Sequence, residues 1–293
     1  TIRETGNPDA ILGDHPQFTA RYDLGPALHA TPETASATAR FRDGVLEIWV
    51  ATQAPERLRQ SVARALEMVP RKVILYPMAA GGSFDARYDY RVAVEAAQIA
   101  RAVEAPVQLV WSRWQENVAG LPRAPMSVQV SARADTSGGI AAWRMTAAMP
   151  ATVREFGRRL FQGLGPAQAA QIQNAADPLA LEGAMPPYAI PHVAVAHAPA
   201  RIDLPTGRMR GRSHAMHAFV TEGFVDEIAS ALKREPLGFR MAMLESDPRL
   251  AACLQRVSGL AGWNGGQDNS GNGLACARMG DVASGGCIAA IAS

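Results

Sequence analysis

The chain has 293 residues, 48% of them hydrophobic and 19% charged, with a formal net charge of +2. That is a globular composition with enough length for two subdomains, and so small a net charge sets up no global field, so any anion site has to be local. Aromatic residues total 6% and are not interleaved with basic ones, which argues against a nucleic-acid surface.

The three cysteines, Cys253, Cys276 and Cys287, form no CxxC, so neither a disulfide framework nor a structural zinc is expected. No apolar run reaches the roughly 20 residues of a membrane-spanning helix. The opening "TIRETGNPDAILGDHPQF" lacks the basic start and apolar centre of a targeting peptide. There is no initiating methionine, and the chain stops within the strand-like "GGCIAAIAS", so both ends read as cut.

In chain order, "VLEIWVAT" alternates and predicts a strand, and "PERLRQSVARALEM", with Leu58, Val62 and Leu66 four apart, predicts a helix. "KVILYPMA" is a nearly continuous apolar run and reads as a buried strand. After the break "GGSFDARYDY", "RVAVEAAQIARAVEA" predicts an amphipathic helix and "PVQLVWS" a third strand. Together these give an α/β arrangement. "MSVQVSARAD" and "GIAAWRMTAAM" flank "TSGG" as a hairpin. Residues 150–191 read as an irregular excursion with one short helix near "PAQAAQIQNAA", followed by the strand "HVAVAHAPA". Three helices are expected from residue 215 onward, two of them opening with proline, then the loop "NGGQDNSGNG" and two strands. The division expected is 1–125, 126–264 and 265–293, the last being the start of a further β segment.

Three stretches could carry chemistry. In "MAAGGSFDARYDYR" a glycine pair between strand and helix leaves amides free for an anion, although Gly-Gly is equally an ordinary tight turn. Asp85 argues against an anion there unless Arg87 neutralises it. In "GRMRGRSHAMHAFVTEGF" the alternating Arg208, Arg210 and Arg212 would share one face of an extended segment, suited to phosphate or carboxylate, or would form a solvated basic entrance. His214 and His217 lack a third metal ligand. In "LHATPETASATARF", His29 and Glu33 could serve as an acid–base pair or as a structural hydrogen bond. The glycine loop lacks the third glycine of a dinucleotide fold, and no acidic residue ends "PVQLVWS".

The order of these stretches, "LHATPETASATA", "WVATQAPERLRQSVARAL", "VILYPMAAGGSFDARYDYRVAVEAAQIARAVEAPVQLVWSR", "RMRGRSHAMHAFVTEGFVDEIA" and "PLGFRMAMLE", resembles the molybdenum-binding large subunit of the xanthine oxidase and aldehyde oxidase family, in particular the isoquinoline 1-oxidoreductase β-subunit type. The resemblance spans residues 17 to 293. It implies an α+β fold, a two-layer α/β sandwich with mixed sheets, and a molybdenum–molybdopterin cytosine dinucleotide cofactor. The family's Gly-Gly-x-Phe-Gly loop matches Gly81, Gly82, Ser83, Phe84 and Asp85. That match implies cofactor contacts from the first four and a place for Phe84 beside the substrate channel; the last glycine is Asp85 here.

The Arg-Gly segment before a helix matches Arg210 and Gly211, with Ser213 near the pterin and Phe219 and Glu222 following. His29 and Glu33 match the family's His-Ala-x-x-Glu and join Phe84 and Arg210 in the implied substrate pocket. The basal glutamate of the family lies far toward the C-terminus of a longer chain, so no residue here is matched to a catalytic role. The implied partners are an iron–sulfur small subunit and the rest of the large subunit, with no nucleic acid and no membrane span. The expected compartment is the periplasm if the parent chain has a twin-arginine signal, and the cytoplasm otherwise. A non-catalytic module that kept the fold and lost the cofactor is the alternative.

Overall fold

The computed structural model describes residues 3–265 and 271–293. The chain opens with β1 (Arg3–Thr5), α1 (Pro8–Leu12) and β2 (Phe18–Leu24). It continues through β3 (Ser36–Arg42), β4 (Val45–Val50), α2 (Pro55–Ala65), β5 (Val73–Pro77), α3 (Arg91–Val103), β6 (Val107–Val110) and α4 (Arg113–Ala119). Next come β7 (Met126–Ala134), β8 (Ile140–Met149), α5 (Thr152–Gly157), α6 (Pro166–Ala170) and β9 (His192–Pro199). The last elements are α7 (His214–Ala231), α8 (Pro236–Met243), α9 (Pro248–Ala261), β10 (Gly273–Met279) and β11 (Gly286–Ala292). The expected loop "NGGQDNSGNG" lies in part outside the described residues.

The smaller lobe is a four-stranded mixed sheet, β5-β4-β3-β6, in which only β4 and β5 run parallel. Side chains alternate across a strand, so Ala37, Ala39, Leu46, Ile48 and Val50 all point to one face, where α2 and α3 cover them. On α3 the covering residues are Val92, Ala93, Ala96, Ala97 and Ala100. Their small side chains let the helix lie close on β3. Among the described residues no helix covers the other face, which holds Arg40, Glu47, Trp49 and Tyr76, with Trp49 and Tyr76 stacked at 4.9 Å between ring centroids. This corrects the reading of "KVILYPMA" as a buried strand: β5 is an edge strand, and only Val73 in it is buried.

The larger lobe is a second mixed sheet, β1-β9-β8-β7-β2, with β8 and β9 parallel. Its core joins Val128, Val130, Trp143 and Met145 to Phe224 and Ile228 of α7 and to Leu250 and Leu254 of α9. Each such side chain contributes about 1.5–3 kcal/mol on burial. The β10–β11 hairpin packs against α7 and α9 and inserts Leu274 and Cys276.

The chain therefore starts in the larger lobe, builds the smaller one over residues 36–119, and returns at Met126. The sheets do not divide at residue 125, because β1 and β2 pair with β9 and β7. In β2, Phe18, Ala20, Tyr22 and Leu24 fall on the face that meets the larger core.

Candidate functional site

Three turns far apart in sequence meet at the seam between the lobes: residues 27–34, residues 79–86 after β5, and residues 207–213 before α7. The first two exchange hydrogen bonds. The Glu33 amide donates to the Gly81 carbonyl at 2.9 Å, and the Gly81 amide donates to Glu33 Oε2 at 2.6 Å. The third joins both. The Arg210 amide donates to the Phe84 carbonyl at 3.0 Å, and His29 Nε2 donates to the Arg208 carbonyl at 2.7 Å.

The close approach explains the glycine pair. A Cβ on Gly81 would lie 2.5 Å from Glu33 Cβ, and one on Gly82, whose φ is +94°, would lie 2.7 Å from Pro32 Cδ. Backbone strain gathers on the same turns, since Ala30, Phe84, Asp85 and Arg212 all have φ between +46° and +72°. Such conformations cost about 1–3 kcal/mol each for non-glycine residues and persist where the surroundings enforce them.

Asp85 corrects the reading of the arginines. Its carboxylate, buried at 8% exposure, accepts from Arg208 Nε at 2.8 Å and Gln53 Nε2 at 3.0 Å, with Arg210 Nε 3.8 Å away. Gln53 in turn accepts from the Ser83 hydroxyl. Arg87, expected to neutralise Asp85, instead donates to the Glu33 and Thr34 carbonyls at 2.6 and 3.3 Å. Asp85, matched by the sequence resemblance to the family's last glycine, has φ +72°, ψ 7°. Aspartate is among the few residues that tolerate this left-handed conformation.

The three arginines do not share a face. Residues 210–213 form a turn, which sends Arg212 to Glu182 at 2.7 Å while Arg208 and Arg210 turn toward Asp85. His29 and Glu33 are brought to one junction but not to each other: His29 holds the third turn and Glu33 the second. The Ser213 hydroxyl faces inward and donates to the Leu179 and Glu182 carbonyls at 3.3 and 3.0 Å.

Phe84 and Arg210 remain open, at 42% exposure and 64% side-chain exposure, beside Gly211 and the first turn of α7. Beneath them a crevice of about 60 Å³ runs along the seam past His29, Asp85 and Arg208. Phe84 and Arg210 do not line it. Chemically the junction offers an aromatic edge, a half-paired guanidinium and the positive end of an 18-residue helix, a combination suited to a flat or anionic ligand. Sequence reasoning missed Gln53 and the pairing of Asp85 with Arg208. The signals available were the glutamine of "ATQAPER" and an acid in a turn facing three arginines.

Among the described residues no group of three His, Cys, Asp or Glu side chains is placed to hold a metal ion. His214 and His217 are instead held below the usual histidine range by burial.

Residues 1–244 match the family described as molybdopterin cofactor-binding domain. The chain is similar to the β-subunit of isoquinoline 1-oxidoreductase from Brevundimonas diminuta, 30% identical over 238 residues, covering 80% of this chain and 29% of that protein. It is also similar to a nicotinate dehydrogenase subunit of Pseudomonas putida, 25% identical over 270 residues, covering 90% of this chain and 22% of that one. Among solved structures, the aldehyde oxidoreductase from Desulfovibrio desulfuricans superposes with a TM-score of 0.67 at 16% identity, over 94% of this chain and 32% of that chain. The chain thus spans less than a third of the length of these relatives. With two mixed sheets, the expected glycine loop, and a match over most of its length, the chain belongs to the molybdopterin cofactor-binding domain family of the molybdenum hydroxylases.

Proposed function

We propose that the junction of the three turns holds the pterin side of a molybdenum–molybdopterin cofactor, in its cytosine dinucleotide form, and that the chain serves as one portion of a longer molybdenum hydroxylase subunit. The observation that carries this reading is the backbone hydrogen bond from Arg210 to Phe84, which brings two family-matched turns into one surface. The residues present fit such a group: the Arg210 guanidinium is open to anionic oxygens, Phe84 offers a ring, and the first turn of α7 adds its positive end. Gly81 and Gly82 shape the loop through their contact with the first turn. His29 and Glu33 act as positioning residues, fixing the two loops through main-chain atoms.

The bound cofactor supplies the oxidation of an aldehyde or N-heteroaromatic with oxygen derived from water, and the protein supplies placement. The electrons leave to an iron–sulfur subunit, and the remaining part of the large subunit completes the pocket. The compartment follows the parent's leader, periplasmic with a twin-arginine signal and cytoplasmic without one.

The test is a thermal melt of the chain with molybdopterin cytosine dinucleotide. The expected outcome is a rise in midpoint that Arg210→Ala abolishes with the unliganded midpoint little changed, because this side chain is mostly exposed. A full-length subunit purified from cofactor-making cells without molybdenum and without pterin overturns the reading. The engagement of Arg208 by Asp85 favours a second reading, a binding module that no longer takes the cofactor. Asp85→Gly separates the two: a cofactor site keeps or gains pterin affinity, and a repurposed module shows none with either residue.

A further inference from the structure

A second cluster of arginines lies along the seam, in a recess between α2, the start of α3 and the segment after α5. Arg57, Arg91 and Arg159 line it together with one carboxylate, Asp89. Asp89 is committed: both its oxygens take the Arg91 guanidinium, and Oδ1 also accepts the Arg91 amide at 3.0 Å. The next carboxylate, Glu155, is fully buried and equally committed. It accepts from the Thr206 amide and hydroxyl at 2.8 Å each and from Gln173 at 2.9 Å.

Among the described residues, Arg57 and Arg159 are left without a carboxylate of their own. Nε and one terminal nitrogen of Arg57, and Nε of Arg159, are shielded from solvent with no acceptor among the described residues. Arg159 donates to the Thr206 carbonyl at 2.9 Å and lies over the Phe156 ring, 5.8 Å from its centroid. Its pKa is lowered by burial, which outweighs the attraction of Glu155 and Asp89. Arg57 and Arg159 are partly buried residues, and an adjoining crevice that also reaches Arg159 contains the buried Arg87, whose Nε lacks an acceptor among the described residues.

Water can satisfy these N–H groups but cannot offset the charge, and an uncompensated buried guanidinium is costly. Nearby, α3 begins at Arg91, so the positive end of a 13-residue helix adds to the same field. The two hollows offer about 30 and 60 Å³ to the centre of a water molecule, where a single water needs about 10–15 Å³. They hold a few waters or one small anion and nothing larger.

We propose that Arg57 and Arg159 form a site for one small oxyanion, an inorganic phosphate or sulfate or a single carboxylate, that clamps the segment after α5 onto the smaller lobe. A planar guanidinium pair suits this geometry, because each fork matches two oxygens. The site is independent of the pterin reading and is tested without any cofactor.

The experiment is a thermal melt of the 293-residue chain in a zwitterionic buffer, with added inorganic phosphate, sodium acetate, or sodium chloride at matched ionic strength. Phosphate about tenfold above its Kd should raise the midpoint by about 2–3 °C. Arg57→Gln with Arg159→Gln should abolish that rise without lowering the midpoint in phosphate-free buffer, since the charge is removed while glutamine can still donate to the Thr206 carbonyl. If acetate matches phosphate, the occupant is a carboxylate; if only phosphate acts, it is an inorganic oxyanion. An equal rise from sodium chloride, no rise from phosphate, or a rise that persists in the double variant overturns the proposal. Equilibrium dialysis of labelled phosphate against the Arg210→Ala chain, in which the turn junction has lost its open guanidinium, gives a readout that does not depend on folding of the double variant: one bound phosphate per chain supports the site, and none overturns it.

Discussion

Two arginine clusters in this molecule are built in opposite ways. In the larger lobe Arg240 is fully buried and its donors are used: to Glu222 Oε2 at 2.9 Å, to Asp226 at 2.6 Å, and to the Glu222 and Pro236 carbonyls at 3.0 and 3.2 Å. Glu222 also accepts from Tyr188 at 2.7 Å and from the Cys276 amide at 2.9 Å, so the cluster ties α7, α8 and β10 into one unit. Burial, and then the Glu222 carboxylate, push the Cys276 thiol up to about 12, which keeps it protonated and unreactive. At the turn junction, Arg208 and Arg210 address a single carboxylate and are 36% and 64% exposed. A saturated buried network fixes structure. A half-exposed one with more cations than anions keeps capacity for a ligand. The same residue type serves both purposes, and the number of committed donors separates them.

Breaking the first cluster should have the largest effect. Arg240→Ala leaves Glu222 buried without its counter-charge and should cost about 3–5 kcal/mol of unfolding free energy, measured by urea titration. At the junction, Gly82→Ala meets both a positive φ and the Pro32 ring, and should cost about 1–3 kcal/mol while loosening the first and second turns. Limited proteolysis between residues 27 and 34 should accelerate in that variant.

Asp85→Asn sharpens the contrast. The loss of the charge-assisted bond to Arg208 should cost about 1–2 kcal/mol, while oxyanion affinity at the junction should rise, as read by calorimetric titration with molybdate. If affinity is unchanged, Asp85 is not what neutralises the arginine pair.

The smallest effect expected is on acidification. His214 and His217 are held below their usual value near 6.5 by burial. The unfolded chain therefore binds these protons first. Their contribution to stability is complete above about 6.5 and is lost as the pH falls through the lower folded values. The thermal midpoint should drop between pH 7.5 and 5. The drop should be shallower in His217→Gln, which keeps a donor for the Ala180 carbonyl now served at 3.0 Å by His217 Nε2.

Where local periodicity was strong, the elements were legible: α2 and α3 follow their apolar spacing, and "TSGG" joins β7 to β8 as a hairpin. The strands β2 and β3 were not read, because "FTARYDL" and "SATARFR" mix alanine, threonine and charge; β2 becomes a strand by pairing with distant β7, whereas β3 pairs with its neighbour β4 across Asp43-Gly44, a hairpin signal that went unread, and with β6. β5 was misjudged for a related reason, since an apolar run does not tell how many faces will be covered. At the site, the three turns were visible as separate weak signals. Their contacts were not, because no local rule places Asp85 within 2.8 Å of Arg208, 123 residues away.

The sequence by itself determined α2, α3, α6 and the three C-terminal helices, the β7–β8 hairpin, the glycine pair and the order of matched segments, because these depend on neighbours within a turn or two of the chain. Only the tertiary structure decided that the N-terminal strands join the larger sheet, that His29 and Glu33 brace loops rather than each other, and which arginines stay unpaired. Those outcomes depend on long-range packing and on charge compensation summed over side chains from separate segments, and neither is written in any one stretch.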